Sequence, residues 1–149
     1  KTVHEQNRAR FAADAVKQWQ NNFEELDERS NSSQYVSGSK SLYIDPSVET
    51  HPLLRYTHDP ATGAVNTLFV SFEMYTQDYP EAFLVSEIDG DWHAMPLSRQ
   101  VERLNQWNTV QYVRSLPTLH KGSEIKIYLW NPKGHSFSVD EATVVFSEK

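Results

Sequence analysis

Tyr128 and Trp130 stand two residues apart in the stretch EIKIYLWN (residues 124–131), and Trp92 follows Asp-Gly-Asp at 89–91. In an extended chain, residues two apart share a face, so the two rings of the first stretch point the same way. Asp-Gly is a hairpin signal, so Trp92 sits beside a turn and near solvent. Exposed aromatic rings offer flat apolar surfaces to the C–H faces of sugars, while nearby amides and acids take the hydroxyls. Trp92, Tyr128 and Trp130 are therefore candidate carbohydrate-binding residues, with Tyr75 and Tyr79 as further rings of the same kind. The competing reading is packing, because one face of 125–130 must be internal. Ile125, Ile127 and Leu129 are the better core residues, which leaves Lys126, Tyr128 and Trp130 outward. There they meet a ligand or are covered by another segment, with Trp19 as partner.

Catalysis needs more than rings. Glycoside hydrolysis uses two carboxyl groups about 5–10 Å apart, and Glu73, Glu87, Asp89 and Asp91 are the acids to consider. Solvated charge on a sheet face explains them equally well. The six histidines (4, 51, 58, 93, 120 and 135) show no zinc spacing. Neither a Gly-x-Ser-x-Gly elbow nor a phosphate-cradling glycine loop occurs. The chain has no cysteine, which excludes disulfides, thiolate catalysis and thiolate-ligated zinc. These observations favour a domain that is not an enzyme.

Lys and Arg number 14 against 20 Asp and Glu, a net charge of −6. That balance argues against nucleic-acid binding, which needs basic patches. No apolar run approaches the roughly 20 residues of a membrane span. The chain opens on Lys1 rather than Met, as expected of a processed or excised piece of a larger protein.

The elements that position these residues are mostly strands. TLFVSFEMY (67–75) alternates cleanly, with Leu68, Val70, Phe72 and Met74 on one side. AFLVSEI (82–88) leads into the DGDW turn, and NTVQYVRSL (108–116) is a further strand. After EIKIYLWN, NPKG is a turn, and SFSVD and TVVF close the chain as two strands. SLYID (41–45) is a short strand stopped by Pro46. Residues 46–66 read as an irregular connection with one short strand at Leu53–Tyr56, and residues 30–41 as loop and turn. Residues 2–22 read differently: Phe11, Ala12, Ala15, Val16 and Trp19 form an apolar stripe at helical period. The expected architecture is all-β, an antiparallel sandwich of about eight short strands preceded by one N-terminal helix. The expected division is a helix at 1–22 and a sandwich at 23–149.

Four stretches occur in one order: NNFEE (21–25), VSGSKSLYID (36–45), WNTVQYVRSLP (107–117) and IKIYLWNPKGHSFSVDEATVVF (125–146). This order resembles the jelly-roll β-sandwich of carbohydrate-binding modules and galactose-binding-like domains. There a Phe-Glu lies on the first strand, a Ser-Gly-x-x-Ser-Leu turn and strand follow, a Trp opens a later strand, and Val-Asp lies on the last. The resemblance covers residues 21–146, less closely over 46–100. It implies a structural calcium ion held by Glu24 and Asp140, with carbonyls near Lys40 and Ser41. Lys40 is the alternative counter-ion, replacing the metal by a salt bridge. It also implies that Trp107 is a buried packing residue. The function it implies is a non-catalytic, extracytoplasmic accessory domain of a larger bacterial protein. Its partners would be a glycan or another domain of the parent chain. The alternative is a structural or protein-interaction domain with no small ligand.

Overall fold

The computed structural model describes residues 5–7, 15–21, 23, 30–31 and 41–148. Among these residues ten strands run β1 (Ala15–Asn21), β2 (Ser30–Asn31), β3 (Ser41–Ile44), β4 (Thr50–Thr57), β5 (Thr67–Thr76), β6 (Phe83–Ile88), β7 (Asp91–Pro96), β8 (Gln106–Ser115), β9 (Glu124–Trp130) and β10 (Phe137–Ser147). They form two antiparallel sheets. The larger has the order β2-β3-β10-β5-β8, with β1 also paired to β10. The smaller has the order β4-β9-β6-β7.

The alternating sequences place the core. Leu68, Val70, Phe72 and Met74 line the inner face of the larger sheet with Val110, Val139 and Phe146. Leu84, Ile88, Ile125, Ile127 and Leu129 answer them from the smaller sheet, all at most 3% exposed. The inward assignment of Ile125, Ile127 and Leu129 therefore holds, and Tyr128 and Trp130 face out. The connection at NPKG turns as expected. The Asn131 side chain donates to the His135 carbonyl and accepts from its amide (2.8 and 3.0 Å). Gly134 has φ of +68°, and a Cβ there would come 3.1 Å from the Pro46 carbonyl, so only glycine fits without strain.

The N-terminal boundary differs from expectation. Helical backbone covers residues 5–7, but Ala15–Asn21 is strand β1, not the end of a helix, and belongs to the sandwich. Phe11 and Ala12 of the stripe lie outside the described residues. A bulge between Ala15 and Lys17 accounts for the misleading spacing. It lets Val16 and Trp19, three apart, both pack on the main core, a pattern that regular alternation forbids. Tertiary context then outweighs local period. β3 pairs with β10 only at Phe137–Val139, so without β1 the edge at Ala142–Ser147 would be left open. Three smaller corrections follow. SFSVD and TVVF are one strand, β10, interrupted by a register shift between Asp140 and Thr143. The short strand at Leu53–Tyr56 extends over the whole of β4. The stretch read as loop at 30–41 contributes β2 and the first residue of β3.

Candidate functional site

The outer face of the smaller sheet gathers the predicted rings. Across the strands, Phe83 pairs with Trp130 on one side and Pro96 on the other. Val85 pairs with Tyr128 and Ala94, and Glu87 with Lys126 and Trp92. These nine cross-strand neighbours share one face because strand side chains alternate. The Trp130 ring lies 5.1 Å from that of Phe83 at 32°, and 6.2 Å from that of Trp92 at 79°. Val85 occupies the row between the two tryptophans and is 1% exposed. Trp92 itself is 54% exposed. The result is an aromatic corner, one wall formed by Trp92 and the other by Trp130 with Phe83 beside it.

Tyr128 continues the face toward β4. A groove of about 370 Å³ lies there, lined by Thr50, Pro52, Arg55, Lys126 and Tyr128 among others. Burial raises the Tyr128 phenol above its ordinary pKa of 10.0, and the Glu87 carboxylate adds to the shift, so its hydroxyl remains a donor at neutral pH. Lys126 pairs with Glu87 at 3.7 Å and Arg55 with Glu124 at 3.0 Å. Such exposed pairs are weakly held, and their polar groups stay within reach of an incoming hydroxyl.

The turn at Trp92 is built as its sequence implies. Asp89 and Gly90 both have positive φ, +49° and +89°, the geometry of a tight two-residue hairpin. Asp89 accepts from the Glu124 amide at 2.9 Å, tying the hairpin to β9. Phe83, Pro52 and Arg55 complete the face and were missed from sequence. Phe83 carried a usable signal, since it alternates with inward Leu84. Pro52 and Arg55 did not, because β4 has a register shift between Pro52 and Leu54.

The remaining predicted residues lie elsewhere. Trp19 does not cover Tyr128 or Trp130. Its ring packs 5.4 Å from both Tyr56 and Phe146, beneath β1. Trp107 is not a buried packing residue. It is half-buried on the outer face of the larger sheet, 5.7 Å from the Tyr75 ring. Tyr79 is exposed. The four acids are divided: Glu73 is on β5 in the larger sheet, while Glu87, Asp89 and Asp91 belong to the β6–β7 hairpin. Glu73 accepts from the Thr109 hydroxyl at 2.9 and 3.0 Å. Asp140 is fully buried in β10, opposite Glu73, and accepts from the Glu141 amide at 2.9 Å. Its predicted metal partner Glu24, and Lys40, lie outside the described residues. Among the described residues no three His, Cys, Asp or Glu side chains come together to hold an ion, and no helix is long and apolar enough to cross a membrane.

No protein-family model matches the sequence, and no curated protein matches it. Solved structures do. A xylan-binding CBM22-1 domain of Xyn10C from Paenibacillus barcinonensis is 13% identical, with 91% of this chain and 96% of that one covered at a TM-score of 0.52. The tandem CBM22-1–CBM22-2 domain of the same protein is 14% identical, covering 93% and 47% at 0.53. A family 16 carbohydrate-binding module is 12% identical, covering 78% and 83% at 0.50. At such identities the likeness is one of fold: this chain has the jelly-roll β-sandwich architecture of carbohydrate-binding modules.

Proposed function

We propose that this chain is a non-catalytic accessory domain that binds a glycan across the outer face of its smaller sheet. The observation that carries the reading is the corner made by Trp92 and Trp130, 6.2 Å apart, with Trp92 more than half exposed. Large rings are expensive to leave in water, and an open apolar patch marks a contact surface. The Tyr128 hydroxyl, Lys126 and Glu87 supply the polar partners such a ligand needs. Rings at 79° cannot both lie flat on one crystalline surface, so the ligand is a single soluble chain. A xylan-type polysaccharide is the first to test, since solved structures of the same fold bind xylan.

The acids support a binding role over a catalytic one. Glu87 and Asp91 are engaged with Lys126 and Arg114, and Glu73 is on the other sheet. An extracytoplasmic location and a larger parent protein accord with this reading. A structural calcium ion held by Glu24 and Asp140 is a separate proposal, to which the full burial of Asp140 in β10 lends support.

Pull-down on a panel of soluble and insoluble polysaccharides, with wild type beside Trp92→Ala and Trp130→Ala, tests the function. Binding to a soluble glycan that is lost in a folded variant supports it. Silence across the panel overturns it in favour of a structural or protein-interaction domain.

A further inference from the structure

Trp92 lies on β7, an edge strand that among the described residues pairs only with β6. Its first three residues, Asp91, Trp92 and His93, are all exposed. The apolar hold of β7 on the core comes from Met95 further along the strand, and the three hairpin-end residues add no inward apolar side chain of their own, yet a slip by one residue would turn Trp92 away from the outer face. A polar anchor is present at that end. Arg114 stands on β8 of the opposite sheet, paired with Leu68, and faces the interior with Val110 and Tyr112. Its side chain is 5% exposed. One terminal nitrogen donates to the Ser86 carbonyl and hydroxyl of β6, both at 2.9 Å. The other donates to the Asp91 carboxylate at 3.1 Å. Its Nε has no partner among the described residues, so the hairpin contacts alone orient the guanidinium. The Tyr112 hydroxyl meets Ser86 at 2.9 Å and closes the same bridge.

We infer that Arg114 is a positioning residue for the aromatic corner. By holding Asp91 on the inner side of β7, it fixes the alternation that sends Trp92 outward, against Trp130. The pair acts as a register lock reaching from one sheet to the binding face of the other. A buried arginine is costly as a source of stability, and fixing a unique arrangement is the role such groups are best suited to. The consequence for affinity rests on the glycan reading above; the consequence for ring geometry does not.

The test uses Asp91, whose side chain is 73% exposed, so that variants fold even where changes at Arg114 do not. The first readout is the exciton couplet of Trp92 and Trp130 in circular dichroism, assigned by its loss in Trp92→Phe. The second is xylan affinity. Asp91→Ala should lose more than half the couplet and about tenfold in affinity. Asp91→Asn keeps an oxygen that accepts from Arg114 and should retain both. A folded Asp91→Ala with the full wild-type couplet overturns the inference, whatever its affinity. A couplet that collapses in Asp91→Ala while wild type binds no glycan sustains the register lock and removes the glycan reading alone.

Discussion

The two outer faces of the sandwich carry similar rings in different settings. On the smaller sheet, Trp92 stands 54% exposed beside Trp130, over a face whose polar groups are only weakly paired. On the larger sheet, Trp107 and Tyr75 lean on each other, and their neighbours outward of the core are sealed. Phe69 and Val145 form a second small cluster with Ala15 of β1, and Ser71 and Asp140 are buried as well. The Asn7 side chain of the helical stretch donates to Gln111 on that face at 3.3 Å. The described residues of the helical stretch and β1 thus lie against the larger sheet. An aromatic residue on a sheet becomes a platform or a packing element according to what the rest of the chain lays over it.

Substitutions should separate the faces. Phe69→Ala, on the covered face, should cost about 3 kcal/mol of stability, measured by denaturant unfolding, with glycan affinity unchanged. Were stability to hold, the second cluster would not be a packing element. On the open face, Trp92→Ala combined with Trp130→Ala should cost about 2 to 3 kcal/mol of binding. Titration calorimetry would read this, and the Trp92 change alone should move stability by less than about 0.5 kcal/mol. Equal losses of binding and stability in both sets would dissolve the contrast.

Smaller effects sharpen it. A double-mutant cycle on Tyr75 and Trp107 should give a coupling of about 1 kcal/mol in stability and none in affinity. Tyr128→Phe should weaken binding by about 1 kcal/mol if its hydroxyl donates to the glycan. With the phenol pKa raised above 10.0 in the folded chain, the unfolded chain ionises first. The stability this shift reflects is full below that pH and declines as pH rises through it. Alkaline unfolding should therefore begin at slightly higher pH in Tyr128→Phe. Finally, chelation should lower the melting temperature if Asp140 holds calcium; an unchanged transition would remove that proposal.

Much of the aromatic face was legible in the sequence itself. Tyr128 and Trp130 share a strand face whose alternate residues are Ile125, Ile127 and Leu129, and period-two burial is a local property. Asp89-Gly90 announced its own turn because both positions need positive φ. Phe83 was legible too, though only its partner across β9 makes it part of a corner.

What local pattern could not reveal were the pairings between distant segments. The spacing of Ala15, Val16 and Trp19 suits a helix, and a bulge makes it equally good for a strand. The open edge of β10 decides between them. Trp107 has the right neighbours for a buried strand residue, but which sheet face is covered depends on where β1 and the helical stretch dock. Nothing in NTVQYVRSL singles out Arg114. Only the stacking of β8 over the β6–β7 hairpin brings it to Asp91. Alternation, turns and inward residues are set by chain-local sterics and hydrophobicity. Edge pairing, face coverage and the bridge between sheets arise from contacts far apart in sequence, and these were decided by the tertiary structure.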